Sequence, residues 1–385
     1  MTWIKKKISD IITIKKGSYI TKNQSIVGPY PVVLGGKEPA YYINKFNHTG
    51  KAIVISRSGA SAGFVSYWNE PIFITDGFLI EPNENVEYNY LYYLLKNNQT
   101  QLNGVQGGAA IPHVTPAKIG SIDILVPPYE VQCKIAEILS AYDRLIENNQ
   151  KQIRLLEEYV QRQYMEIFLK PQLQEKKENA IDSLAGWKNY SLSQLFSCVR
   201  GKSYTSDELC DNGGTLLVNL KNLKSWGGYK REAEKRIDGE NYHASQKVKF
   251  GDIIMAVTDM TQERRLVGHV AIVPNLSENA VISMDLIKII PNEMIPRYFL
   301  YSLLRFSGVA DIISNHANGT NVLHLKPDAI MDLTVFLPKA NIMEEFDKLI
   351  FPIYKKIEIL ETQSIWLKEA RDRLLPKLMS GEIEV

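Results

Sequence analysis

Six histidines, His48, His113, His243, His269, His316 and His324, are the side chains best suited to acid–base or metal chemistry near neutral pH. None stands in an HExxH or comparable spacing. Cys133, Cys198 and Cys210 lie far apart and outside any C-x-x-C pair, so the sequence predicts neither a metal site nor a disulfide framework. Gly201, Lys202 and Ser203 resemble the tail of a phosphate-binding loop, but the first glycine that loop requires would fall at residue 196, which is Phe196. The segment Val126-Pro127-Pro128-Tyr129-Glu130 comes nearer to chemistry. In the N/D-P-P-Y/F tetrad of amino-methyltransferases the first side chain holds the target amino group and the aromatic ring stacks on a flipped base. Val126 has no polar atom for that hydrogen bond, and no glycine-rich strand-to-helix loop elsewhere would cradle a methyl donor. No catalytic residue is assigned and no cofactor is expected on the chain; Pro127 and Pro128 read as the end of a strand and the start of a helix.

The elements that carry these residues come in two sets. The stretch AAIPHVTPAKIGSIDILVPP (109–128) recurs in outline as TNVLHLKPDAIMDLTVFLPK (320–339), placing His113 on His324, Pro116 on Pro327, Ile119 on Ile330 and Pro127 on Pro338 at one offset of 211 residues. Upstream, LYYLL (91–95) falls on LYSLL (300–304), and Asp76 on Asp285, at an offset of 209. Trp3 falls on Trp187, and Gly17 on Gly201, at an offset of 184. The growing offset means that the second copy carries extra residues between its opening and its middle. Units of this length are whole domains in tandem, not stacked short repeats.

Each copy is followed by a long stretch of helical pattern. In the first, Leu139, Tyr142, Ile146, Asn149, Ile153, Leu156, Val160, Gln163 and Ile167 alternate in steps of three and four, the heptad rule of a coiled coil. In the second, the seam is Ile350, Ile353, Ile357, Leu360, Ser364, Leu367, Arg371, Leu374 and Leu378, with Pro352 and Pro376 expected to limit its regular part. Two separate surface helices are the alternative. Paired about a pseudo-twofold axis, the helices would run antiparallel. At about 1.5 Å per residue, roughly 40 residues would hold the domains at most about 60 Å apart, more than one turn of B-DNA at about 34 Å.

With 45% hydrophobic and 23% charged residues, and no apolar run of membrane-spanning length, the 385-residue chain reads as soluble. The opening MTWIKKKISD lacks the apolar core of a signal peptide, and the cysteine usage suits a reducing cytoplasm. The formal charge of +2 leaves the partner open, because local basic faces can form on a nearly neutral chain.

The segments LVPPYEVQCKIAEILSAYDRLIENNQKQIRLLEE and IYKKIEILETQSIWLKEARDRLLPKLMSGEIEV, with RDRLLPKLMSGEI the most specific, identify the chain as similar to the specificity subunits of type I restriction-modification systems, over essentially its whole length. It departs from the usual pattern after the double proline, with YEVQ in the first copy and LPKANIMEEF in the second, which leaves the start of each helix open. The resemblance implies an α+β protein with two globular mixed target recognition domains in pseudo-twofold tandem, separated by two long helices forming an antiparallel coiled coil. The expected boundaries are 1–128 for the first recognition domain, 129–170 for its helix, 171–186 for a linker, 187–338 for the second domain, and 339–385 for the second helix and tail. It further implies that each domain reads one half of a bipartite, asymmetric site in double-stranded DNA. The helices would dock two methyltransferase subunits and, through them, restriction-motor subunits, with S-adenosylmethionine, ATP and Mg on those partners. The rival readings are a self-sufficient DNA adenine methyltransferase, against which Val126 argues, and a coiled-coil scaffold that binds protein only.

DNA readers need cations for phosphates and amide, guanidinium or hydroxyl groups for base edges. One basic loop supplies Lys15, Lys16, Ser18, Tyr19 and Lys22, mirrored by Arg200, Lys202, Ser203 and Tyr204. A small-residue loop supplies Arg57, Ser58 and Ser61, facing the chemically different Thr258, Gln262, Arg264 and Arg265 of the second copy. A glycine-rich polar loop supplies Gln106, Gly107 and Gly108 against Asn318 and Thr320. The second copy alone adds Asn219, Lys221, Asn222, Lys224, Trp226 and Arg231. Each stretch also fits an ordinary solvated turn, and His113 and His324 fit either a structural place or one near DNA.

Overall fold

The computed structural model describes residues 3–21, 25–36, 38–107, 111–175, 184, 186–231, 235–239, 242–276 and 278–385. It divides into two compact units, one of residues 1–149 with 363–385, the other of residues 150–362. These limits differ from the expected ones at 128 and 338. Each falls inside a long helix, because the two halves of a helix bury their apolar faces in different cores.

The first unit contains β1 (Ile4–Lys7), β2 (Ile12–Lys16), β3 (Tyr30–Val33), β4 (Tyr42–Ile43), β5 (Lys51–Ser56), β6 (Val65–Asn69), β7 (Phe73–Ile74), β8 (Gly77–Pro82), α1 (Tyr88–Asn97), α2 (Gln99–Gly104), α3 (Pro116–Gly120), β9 (Asp123–Val126) and the start of α4 (Tyr129–Tyr164). A four-stranded sheet in the order β2-β8-β5-β6 carries the core, β4-β3-β7 forms a second sheet, and β1 pairs with β9. Ile53 and Ile55 of β5 pack with Tyr90, Leu91 and Leu94 of α1 and Leu139 of α4, and Leu375, Leu378 and Met379 from residues 363–385 close the same cluster.

The second unit continues from α4 through a wide helical turn (Met165–Leu169) and α5 (Lys170–Glu175). It then holds β10 (Lys188–Ser191), α6 (Leu192–Leu195), β11 (Phe196–Arg200), β12 (Leu209–Cys210), β13 (Thr215–Val218), β14 (Lys235–Ile237), β15 (Lys247–Val248), β16 (Ile253–Ala256), β17 (Thr258–Asp259), β18 (Val270–Ile272), β19 (Ala280–Ile282), β20 (Leu286–Pro291), α7 (Arg297–Phe306), α8 (Val309–Ser314), β21 (Leu323–His324), β22 (Thr334–Leu337) and the start of α9 (Ala340–Ser380). Its sheets repeat those of the first unit: β11-β20-β16-β18 answers β2-β8-β5-β6, and β10-β22 answers β1-β9. The third is widened to β12-β14-β13-β19-β15, where the parallel pair β13-β19 answers β3-β7. Gly17 and Gly201 mark equivalent turns after β2 and β11. A Cβ at either would sit 2.6 Å from the Ile74 carbonyl oxygen or 2.1 Å from that of Ser283, so both turns require glycine.

Both prolines of α9 are exposed and the helix runs through them without a break, so Pro352 and Pro376 do not limit it as expected. The double-proline junction is now defined. β9 ends at Val126, α4 starts at Tyr129, and buried Gln132 ties the corner by donating to the Pro127 carbonyl (3.0 Å) while accepting the Glu87 amide (3.0 Å). In the second copy β22 ends at Leu337 and α9 begins at Ala340.

Candidate nucleic-acid interface

In the first unit the loop after β5 and the segment before α3 are joined through His113. The Val114 amide donates to the Arg57 carbonyl (2.9 Å), the Gly59 amide to that of Pro112 (2.9 Å), and Gly107 and His113 exchange a bonded pair (2.9 and 2.8 Å). Asp76 organises this corner. Its carbonyl accepts the Arg57 amide (3.0 Å), while its carboxylate accepts the Ser58 hydroxyl and lies 3.8 Å from the Arg57 guanidinium. A Cβ on Gly35 would meet the Ser58 carbonyl oxygen at 2.1 Å, so the connection after β3 abuts the same corner. The Gln106 amide donates to the Ala62 carbonyl (2.7 Å). Arg57, Ser58, Ser61, Gln106 and Gly107 are thus brought together half-exposed, with a carboxylate orienting the arginine.

The second unit builds the same corner with other chemistry. Leu325 donates to Val257 (2.8 Å) where Val114 donates to Arg57, Val257 donates to the Asp285 carbonyl (2.9 Å) where Arg57 donates to Asp76, and Asn318 exchanges a bonded pair with His324 (3.0 and 2.9 Å). His113 and His324 are therefore backbone fasteners in both frames. The loops that the frames carry diverge. Gly63 and Gly268 make the same return bond at 2.8 Å, to Ser56 and Ala256, yet the segments they close are 57–63 and 257–268, seven residues against twelve. The connections to the buried Ile43 and Ile237, which pair identically with β3 and β13, are 34–42 and 219–236, nine residues against eighteen. About half of the extra residues inferred from the growing offset sit in these two loops.

The longer loop closes on Asp259. One carboxylate oxygen accepts the Thr261 amide and hydroxyl (both 2.9 Å), the other the Leu266 (2.7 Å) and Val267 (3.3 Å) amides. Burial alone would raise the pKa of this acid, but the amide donors outweigh it and hold the group below the ordinary carboxylate range. Gln262 donates to the Thr320 carbonyl (2.7 Å), and Arg264 donates to the Asn315 side chain (3.1 Å).

The predicted residues separate by exposure. Lys15, Lys16, Ser18, Tyr19, Arg200, Ser203, Lys221, Lys224, Trp226, Gln262, Arg265, Asn318 and Thr320 are exposed, although Lys15 already pairs with Glu81 (2.6 Å). Lys22 and Gly108 lie outside the described residues. Lys202 is a correction: its side chain is 7% exposed, bonded to Glu208 (2.7 Å) and the Ser203 carbonyl (3.0 Å), because the turn after β11 folds it inward. The basic loop is therefore mirrored in backbone and, through Lys16 and Arg200, only in part in exposed charge. Asn219 and Asn222 are buried in a reciprocal cap of a short turn, and Thr258 is buried in β17, so none of the three is displayed at the surface. Arg231 is withdrawn as well, held by Glu358 (2.7 Å) and Glu361 (3.3 Å) of α9. Missed by the sequence reading were Asp76 and Asp259 as loop organisers; the matching of Asp76 with Asp285 was the available signal for the first.

Of the seam positions, Leu139, Asn149, Val160, Ile350, Ile357, Leu360 and Leu378 are buried, and Tyr142, Ile146, Ile153, Leu156, Ile353, Ser364, Leu367 and Leu374 half-buried. Arg371 bonds Asp143, which also accepts the Tyr93 hydroxyl (2.5 Å), so this polar seam position is satisfied within the first unit. The seam fails at its end. Ile167 is 37% exposed while Phe168 is 1% exposed and Tyr164 is buried, because the wide turn at Met165–Leu169 shifts the apolar stripe by one residue from Gln163 and Ile167.

No group of His, Cys, Asp or Glu among the described residues is placed to hold a metal ion. No helix of the described residues is long and apolar enough to cross a membrane. Val126, the nearest approach to a catalytic motif, is buried in β9 opposite Ile4.

A family profile described as the type I restriction modification DNA specificity domain matches residues 1–158 and again 185–369. The type I restriction enzyme MjaIX specificity subunit of Methanocaldococcus jannaschii is 29% identical over 87% of this chain and 78% of its own length. The MjaVIII specificity subunit of the same organism is 25% identical over 100% and 93%. In fold, the crystal structure of the type I restriction-modification S subunit from M. genitalium superposes with a TM-score of 0.61 at 19% identity, covering 98% of this chain and 96% of that one. Two profile matches on two copies of one frame, each displaying its own loops, make the chain a member of the type I restriction-modification DNA specificity family.

Proposed function

We propose that the chain is the DNA-recognition subunit of a type I restriction-modification complex, in which each recognition domain reads one half of a bipartite, asymmetric site. It is the non-catalytic member of that assembly. The observation that carries the reading is the pair of equivalent corners: matched backbone bonds at His113 and His324 hold loops of different length and chemistry. A frame that is kept while its exposed polar loops differ suits two readers of different sequences, since phosphate contacts position a protein and base-edge contacts specify.

The long helices act as the spacer between domains 1–128 and 187–338 and as the docking surface for two methyltransferase subunits. Asp143 of α4 bonds Arg371 of α9 in one unit, and Tyr164 of α4 packs on Phe346 of α9 (5.9 Å between centroids) in the other, which supports an antiparallel coiled coil. S-adenosylmethionine, ATP and Mg belong to the partner subunits, and the complex works in the cytoplasm.

Co-expression with the cognate methyltransferase subunit, followed by mapping of modified adenines, tests this. One split sequence is expected, with no methyl transfer by the chain alone. Exchange of residues 1–125 for those of another family member changes one half of the sequence only; methylation by the isolated chain, or altered readout at both halves, overturns the reading. DNA binding by the complex weakens steeply as salt rises.

A further inference from the structure

The two loops that most distinguish the second unit from the first meet each other. The Trp226 amide donates to the Arg265 carbonyl (2.8 Å), and the indole stands edge-to-face on His269, centroids 5.4 Å apart at 83°. Trp226 (φ 66°) and Arg264 (φ 54°) are two of the three non-glycine described residues in the left-handed region, a conformation that lasts only where its surroundings impose it. Arg264 is gripped from below: its guanidinium donates to Asn315, and its Nε is buried without a hydrogen-bond partner. His269 beneath the indole is 6% exposed, with Nε2 also unpartnered. Above this rigid base the Trp226 indole is 56% exposed and the Arg265 side chain 49% exposed. Arg265 is paired with Glu263 two residues earlier on the same loop, an exposed contact of the kind that water and competing anions readily replace.

We propose that this junction is the base-reading head of the second recognition domain, with Arg265 donating to a guanine edge in the major groove and the Trp226 indole making the apolar contact to the adjoining base pair. The inference rests on the DNA-recognition reading above. A guanidinium fork on guanine O6 and N7 is the bidentate contact that this groove favours, and an apolar aromatic edge suits a thymine methyl. Arg264 is a positioning residue: its fixed backbone aims Arg265 and Trp226. Among its described residues the first unit shows no such head: its seven-residue loop carries the single Arg57, oriented by Asp76.

The test uses the full chain co-expressed with its methyltransferase subunit, with modified adenines mapped over a whole genome. R265A and R265K are expected to relax one guanine in one half of the split site by roughly 10- to 100-fold, leaving the other half unchanged. W226A relaxes the neighbouring position. R264A relaxes the same guanine and also speeds amide exchange across 257–268, whereas R265A leaves that exchange at the wild-type rate. Retention of the complete site by R265A, R265K and W226A overturns the proposal, as does an equal loss of affinity for all sequences, which would make Arg265 a phosphate contact. R265K keeps charge and fold, so it decides the matter if R265A does not fold. A wild-type complex that methylates no split sequence fails at the earlier step, removing the recognition reading itself.

Discussion

The two units solve one packing problem with opposite chemistry. In the first, α1, α4 and α9 meet through the polar chain Tyr93, Asp143 and Arg371. In the second, the equivalent positions are Ser302, Tyr354 and Val160; there Tyr354 of α9 packs on Tyr298 and Tyr301 of α7 with centroids 5.4 and 5.5 Å apart, in a core that also holds Tyr164, Phe168, Phe299 and Phe346 at 5.0 to 6.1 Å. Shared backbone bonding therefore does not require shared side chains at the anchor. A duplicated frame tolerates divergence wherever each partner set is self-consistent, because a satisfied polar network and a close-packed apolar one both keep water out.

The contrast is broken most severely at the aromatic anchor. Phe168→Ala is expected to cost about 3–5 kcal/mol, as large-to-small changes in a tight core do. Hydrogen exchange should show the loss within residues 150–362 and spare the first unit; equal loss in both would mean the units are not separate folding bodies. Next comes Arg371→Leu, expected to cost about 1–3 kcal/mol by leaving Asp143 half-buried without its cation, with Asp143→Leu added to it restoring part of the loss. A denaturant melt of the single and double variants measures that coupling.

A smaller effect separates the caps of the equivalent helices α1 and α7. Glu87 caps α1 from its own chain, accepting the Tyr90 amide (2.5 Å). Pro296 has no such side chain, and Asp347 of α9 accepts the Tyr298 (2.7 Å) and Phe299 (3.0 Å) amides instead. Glu87→Ala and Asp347→Ala should each cost about 1 kcal/mol, but only the second should loosen α9 from its domain in hydrogen exchange. The least effect is a matter of pH. The lowered pKa of Asp259 means that its ionised form is favoured by folding, so its contribution is complete above the ordinary carboxylate pKa of about 3.9 and disappears as the pH falls through the lower folded value. Amide exchange of 257–268 should accelerate there relative to 57–63, whose described loop amides have no buried carboxylate cage.

The frame was legible in the sequence because duplication lets each copy check the other: one offset aligned His113 with His324 long before their bridging bonds were visible. Heptad spacing likewise picked helix positions that are mostly buried or half-buried. It failed at Gln163 and Ile167 because a wide turn adds a residue without marking the sequence. The interface was less legible. Lys202 has the composition of a phosphate contact and is buried by a glutamate six residues on, and Asn219 looks like a base reader but caps its own turn. Polar loop residues serve backbone and ligand with the same atoms, and only their placement separates the two uses.

The division of the chain at 149 and 362 bears on the order in which the molecule is made. The second unit is one unbroken stretch, finished once residue 362 has left the ribosome. The first unit needs Leu375, Leu378 and Met379 to close its core, and these are synthesised after the whole of the second. The domain translated first is therefore the last to be completed, and until then α1 and the start of α4 present an uncapped apolar surface to chaperones, proteases or a waiting partner subunit.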